Sequence, residues 1–341
     1  MLNLKMTKSR QIFIVGSSRS GTTMMGRILA NHKDVFTFKE LHFFGTIWTL
    51  SDNQELTKKK QIDLMSLLLC IQHRGIFDKK KFADFSFQAK QILKNKNYTN
   101  PMHIYKLFLD TITKENAATI SCEQTPKNLY YIEEILKFFP EALIVNLVRD
   151  QRDVLLSQKN KWKRKFLGAN KIPFFEALRS YINYHPITIA RIWRSSLSYT
   201  SKFKSHKRVK VVKFEELLHS PNHVVEGVCK FLKIKFSKDM LNVPLIGSSN
   251  KYDSKINFID NSKINNWKNG GLSNAEIYLS QKFSKDMMQK FGYVEKEFRF
   301  FPPSVLYYKI TFPIKLCISF ILNMRRMGNV LEVLKKRFFC K

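Results

Sequence analysis

One stretch of the chain has the residue types and spacing to hold a phosphate: Gly16-Ser-Ser-Arg19-Ser20-Gly21-Thr22-Thr23. It follows the apolar run Ile12–Val15 and precedes an apolar-periodic stretch, so a buried strand turns through glycines into a helix. Gly16 and Gly21 have the G-x-x-x-x-G spacing of a P-loop. Such a turn aims successive backbone N–H groups, with the positive end of the helix dipole, at an anion. Thr22 and Thr23 add hydroxyl donors. A nucleoside triphosphatase needs lysine directly after the second glycine, and here that position is Thr22; the cation lies inside the loop, as Arg19. A cradle of this kind suits a nucleotide whose transferred group is not a γ-phosphate. The alternative is a strand–helix turn with no ligand.

A second stretch, Ile144-Val-Asn-Leu-Val-Arg149-Asp150-Gln-Arg152-Asp153-Val-Leu-Leu-Ser157, runs from a strand ending in arginine into a helix with serine eight residues on. Together the two stretches resemble the sulfotransferases that use 3′-phosphoadenylyl sulfate (PAPS). The likeness is to the branch whose loop reads Arg-Ser-Gly-Thr-Thr, which includes the tyrosylprotein sulfotransferases and many bacterial enzymes. The resemblance implies an α/β, P-loop-containing nucleotide-binding fold: a central parallel sheet flanked by helices. It further implies that Ser18, Arg19, Ser20, Gly21, Thr22 and Thr23 bind the 5′-phosphosulfate, and that Arg149 and Ser157 bind the 3′-phosphate. Arginine supplies a bidentate fork and serine a hydroxyl donor to the same dianion. Lys161 stands where that branch has a further phosphate contact. Lys263 and Lys268, in a segment resembling the one that folds back over the cofactor, are expected on the 3′-phosphate or adenine side; a solvated basic loop is the alternative.

The same resemblance places the catalytic base at Glu40, 21 residues after Arg19. A hydroxyl acceptor needs a base because it is a poor nucleophile until its proton is being removed. Partial desolvation would raise the carboxyl pKa towards a useful range. Glu40 could instead be a loop carboxylate paired with Lys33 or Lys39, and His42 is the second choice of base, whereas His32 is expected to end the preceding helix. In Glu123-Gln124-Thr125-Pro126-Lys127 the chain departs from the family's Glu-Lys-Thr-Pro, with Gln124 where a lysine should meet the sulfonate. Either Arg19 and Lys127 supply that charge or transfer is slowed. Phe214 replaces the tyrosine of another family segment. No metal is expected, for there is no HExxH and no Cys/His cluster.

The elements that must carry these residues are legible as alternation. Short apolar runs at Ile12–Val15, Ala142–Val148 and Val209–Val212 alternate with longer helical patterns, as in parallel strands with helical crossovers. Thr125-Pro126 and Ser220-Pro221 mark helix starts, and Ser273-Asn-Ala-Glu276 predicts a capping box for a helix ending near Phe291-Gly292. The five cysteines are dispersed and read as reduced thiols. Uncharged apolar runs such as Leu41–Ser51 and Leu316–Met324 are too short for a membrane span. The apolar run after Lys5, Lys8 and Arg10 is too short for a signal-peptide core. A cytoplasmic protein is therefore expected.

The net charge of +32 reflects either a polyanionic partner or compositional drift. Residues 151–220 carry sixteen Lys/Arg against four acids, which would suit an acidic saccharide or anionic glycolipid acceptor or a solvated helix face. The division expected is a sulfotransferase domain over 1–301 and a basic amphipathic helical tail over 302–341. The tail holds eight basic residues against one acid, and either packs on the domain as a helical appendage or lies peripherally on anionic lipid. The expected activity is sulfuryl transfer from PAPS to an acceptor hydroxyl or amine. The alternatives are a catalytically impaired PAPS-fold protein and a basic polyanion-binding module. A kinase is disfavoured by Thr22, and no nucleic-acid recognition motif appears.

Overall fold

The computed structural model describes residues 10–50, 55–96, 98–167, 172–243, 261–324 and 329–338. The expectations placed on Lys5, Lys8, Arg325, Arg326, Cys340 and Lys341 lie outside them. Five strands form one parallel sheet: β1 (Arg10–Gly16), β2 (Val35–Thr37), β3 (Ile120–Glu123), β4 (Leu143–Val148) and β5 (Val209–Lys213), in the order β2-β3-β1-β4-β5. The α/β expectation holds. β1 is apolar without alternation because helices cover both faces of the sheet. Phe13 and Val15 pack on one side with Phe38, Phe43 and Phe108, while Ile12 and Ile14 pack on the other with Met25, Ile28 and Val225.

The order places the site. From β1 the chain goes to the β2 side of the sheet, whereas from β4 it goes to β5, so the loops after β1 and β4 part at a switch point and leave a crevice. The register Val15↔Asn146 and Gly16↔Leu147 brings both strand ends level. Gly16 is required there: at φ +151° an added Cβ would lie 2.3 Å from the Leu147 carbonyl oxygen.

Several local expectations need adjusting. The capping box of Ser273 and Glu276 is present, but the helix it opens is Asn274–Lys282, and a second helix, Lys285–Lys290, follows. The Ser284 hydroxyl bonds the Ser280 carbonyl and Gln151 at this break. Thr125 precedes a 3-10 turn, Pro126–Tyr131, with no side-chain cap, because its hydroxyl donates to Glu123. Ser220 likewise leaves its helix, Pro221–Leu232, without a side-chain cap. His32 follows the Thr22–Ala30 helix and accepts from the Asp34 N–H at 3.2 Å.

The C-terminal region is two unlike helices. Val330–Phe338 docks on the domain: Val333 is buried, and Glu332 accepts from the Leu50 N–H at 2.8 Å and the Tyr131 hydroxyl at 3.1 Å. Lys336 donates to Glu134 and to the Tyr130 carbonyl. The other helix, Val305–Asn323, is long and apolar enough to cross a membrane by length and composition. Counting uncharged runs divides it at Lys309 and Lys315, which hides its 19-residue length.

Candidate active site

The loop after β1 is shaped by two left-handed residues, Arg19 (φ +74°) and Gly21 (φ +94°). At Gly21 an added Cβ would lie 2.3 Å from the Phe214 ring, so the loop rests directly on that aromatic face. The Thr22–Ala30 helix then begins with no side-chain cap and no acidic residue in its first turn. Its first N–H groups are left to an external anion. Ser20 is fully buried, and its hydroxyl has no partner among the described residues. Thr22 is buried and Thr23 exposed. An orphaned hydroxyl, an uncapped helix and an arginine in one turn fit a phosphosulfate group.

Around this loop the structure gathers the residues of the second stretch. Asp150 caps the Gln151–Lys159 helix, which carries Ser157 towards the loop, where the Arg19 Nε donates to the Ser157 hydroxyl at 2.9 Å. Arg149 donates to the Arg19 carbonyl (3.2 Å) and the Lys263 carbonyl (2.9 Å) and stacks over Phe214 at 4.4 Å. Phe214 thus lacks a tyrosine's hydroxyl but props both the loop and the arginine. The Nε of Arg149 has no partner among the described residues, and Asp153 stands 3.8 Å from its guanidinium. Burial pushes the Asp153 carboxyl up to about 6 against the pull of Arg149. Lys263 enters through its backbone, while Lys268 is exposed beside Trp267. Trp267 lies under Arg152 at 4.0 Å and its backbone N–H donates to Asp153, which packs this segment on the Gln151–Lys159 helix.

Glu40 lies across the cleft. β2 delivers it: Phe38 bonds the Cys122 carbonyl, and the following turn is anchored by Glu123, which is buried. Glu123 accepts from the N–H groups of Leu41 (3.3 Å) and Thr125 (3.1 Å), the Thr125 hydroxyl and the Asn128 amide. Glu40 itself keeps 40% of its side chain open to water and stands 3.4 Å from His42. Desolvation raises its pKa, opposed by Lys161, Lys127, Arg19 and Arg164. Those cations repel each other: burial with Arg164 and Arg149 lowers Arg19 to about 9, and burial with Arg19 and Arg179 lowers Lys161 to about 8. Lys127 is exposed on the 3-10 turn at the cleft edge. Gln124 packs under Gly26, its amide oxygen unpartnered among the described residues. Lys161 thus stands with Glu40 and Arg19. A groove of about 510 Å³ beside Trp48 and Phe82 is lined by none of these residues.

Sequence reasoning missed Glu123, Asp153 and Arg164. Arg164 belongs to a basic run that reads as a rim; the 3-10 turn Lys161–Leu167 points it inward. Glu123 carries a testable burden. Glu123→Ala strands its donors, so stability falls by about 3 kcal/mol and Tm by roughly 6–10 °C. Burial raises the Glu123 carboxyl from 4.5 to about 7. The folded state therefore keeps a proton that the unfolded chain releases, and stability declines as pH rises from 4.5 towards 7. Melting curves across that range should be flatter for the variant; an unchanged Tm would remove Glu123 as the anchor.

The sulfotransferase family model matches residues 11–238, from β1 through the Pro221–Leu232 helix. The chain belongs to the sulfotransferase family. Among solved structures, this sulfotransferase is similar to the sulfotransferase domain from the curacin biosynthetic pathway. That likeness has a TM-score of 0.51 at 19% identity, over 84% of this chain and 99% of that one. It is similar also to the sulfotransferase domain of the Synechococcus PCC 7002 olefin synthase, with TM-score 0.51, 20% identity, and 85% and 97% covered. At these identities the likeness is one of fold. No curated protein sequence is similar enough to match it.

Proposed function

We propose that this sulfotransferase moves the sulfuryl group of PAPS onto a hydroxyl of an acidic saccharide or glycolipid. The observation that supports this most is the cationic cleft: Arg19, Lys161 and Arg164 converge around Glu40, with Arg149 beside Arg19, next to an uncapped helix and the orphaned Ser20 hydroxyl. Such a set is repulsive by itself and is satisfied by a polyanion. Bound there, PAPS supplies an activated sulfuryl group on a phosphate leaving group. Ser20, Thr22, Thr23 and the first-turn N–H groups hold the phosphosulfate. Arg19 and Lys161 balance charge on the equatorial oxygens during in-line transfer. Arg149 and Ser157 hold the 3′-phosphate, with Lys263 beside them. Glu40 takes the acceptor proton, and Lys127 guards the acceptor side. Positioning and electrostatics do most of the work, as in phosphoryl transfer.

The test is a titration with 3′,5′-adenosine diphosphate against AMP. Micromolar binding that needs the 3′-phosphate is expected, and Arg149→Ala should weaken it at least about tenfold, the loss of one charge-assisted bidentate contact. Binding indifferent to the 3′-phosphate would overturn the assignment of Arg149. Gln124 favours a second reading, a protein that binds the donor without transferring it; tight binding with no turnover across saccharide and lipid acceptors would establish that one.

A further inference from the structure

The Val305–Asn323 helix packs only one side on the domain. There Val305, Tyr308 and Phe312 meet Ile187, Ala275 and Leu279, the Asn323 amide bonds Arg179 (2.6 Å) and Asn183, Lys315 lies over Tyr181, and the Tyr308 carbonyl meets the His185 ring. Only Val305 on that side is fully buried. The opposite side is apolar: Ile310, Ile314 and Ile321 are 62%, 60% and 67% exposed, and Leu306 extends the stripe. A helix whose outer side faces water carries polar residues there. The Phe174–Ile182 helix, which meets this one through Arg179 and Tyr181, also exposes Phe174 and Phe175. Contiguous exposure on this scale marks an interaction surface.

We propose that this face docks on an anionic lipid bilayer, the Val305–Asn323 helix lying flat in the headgroup boundary. Charge selects that occupant. Lys309 stands exposed on the helix, and the whole chain carries +32. A second copy of a chain carrying +32 would bring like charge against this face, whereas anionic headgroups neutralise it. A spanning orientation is opposed by the inner side of the helix, whose bonds to Arg179, Asn183 and His185 would all have to break.

The docked face also adjoins the cleft. The Lys161–Leu167 turn sends Lys161 and Arg164 towards Glu40, while its Trp162 packs on Tyr181 at 5.7 Å and its Phe166 is exposed. Docking therefore turns the acceptor side towards the headgroup layer. That consequence rests on the function proposed above; the docking does not.

The experiment is flotation of the full chain with vesicles of phosphatidylcholine alone, and of phosphatidylcholine mixed with phosphatidylglycerol. Partition onto the mixed vesicles should exceed that onto the neutral ones at least about tenfold at low salt and fall as salt is raised. The variant Ile310→Glu/Ile314→Glu/Ile321→Glu changes only exposed positions and should lower partition at least about tenfold. Its affinity for 3′,5′-adenosine diphosphate should equal that of the unmodified chain, so a failure of nucleotide binding in both is a failure of the functional reading alone. Three results would overturn the docking: no flotation with either vesicle, a dimer in light scattering that the variant makes monomeric, or resistance to alkaline carbonate extraction, which marks a spanning helix.

Discussion

Substituting Glu40 with Gln lowers kcat by about 10²- to 10⁴-fold, the range for loss of a positioned general base, while nucleotide affinity holds or rises. The second half follows from the charges. Glu40 faces Lys161, Lys127, Arg19 and Arg164, so neutralising it makes the cleft more positive towards a polyanion. The pH profile separates the roles. Desolvation raises the Glu40 pKa from its ordinary value, so the rate climbs with pH as the carboxyl ionises. It falls again as Lys161, lowered to about 8, gives up its proton. Glu40→Gln should lose the acid limb and keep the alkaline one. His42, 3.4 Å away, is the competitor. An acid limb that survives in Glu40→Gln and disappears in His42→Asn would transfer the role to the histidine.

Arg19→Ala abolishes turnover, by about 10³-fold or more for loss of a charge-stabilising donor, yet does not destabilise the fold. Two observations pull in these opposite directions. The Arg19 guanidinium bonds Ser157 and faces the carboxylate, joining the two stretches proposed to hold the donor. It is also desolvated and set against Arg164 and Arg149, which lowers it to about 9. Removing it relieves repulsion, so Tm should hold or rise by about 2 °C, a stability–activity trade. Paired melting curves and activity assays check this. A fall of several degrees would mean that Arg19 holds the loop together, and lost activity would then say nothing about charge. Arg19→Lys should restore only part of the rate, since a point charge cannot serve Ser157 and the acceptor side together.

The strands that carry the donor loop and Arg149 are legible because both are buried on two faces and read as plain apolar runs. β2 and β3 are not. Val35–Thr37 has three residues, and Ile120–Glu123 reads Ile-Ser-Cys-Glu, half of it polar, so neither shows a strand pattern. Yet β3 delivers Glu123, whose donors come from the turn after β2 as well as from its own segment; a buried acid justified by tertiary partners leaves no local trace. The loop, Arg149, Ser157 and Glu40 are legible as motifs. That Arg19 would bond Ser157 is not, since it depends on the β1–β4 register. The tail misleads for a different reason. Two lysines break its apolar run in the sequence, and whether they point inward or outward is decided by Arg179, Asn183 and Tyr181, well over a hundred residues earlier.

The contacts of Glu332 set an order of assembly. Leu50 follows closely on the turn that bears Glu40, and its N–H waits for a carboxylate 282 positions later. During synthesis the sheet from β1 to β5 is complete long before that partner leaves the ribosome. The segment that leads on from Glu40 therefore receives this contact as a late, separate event, after the sheet has had time to form.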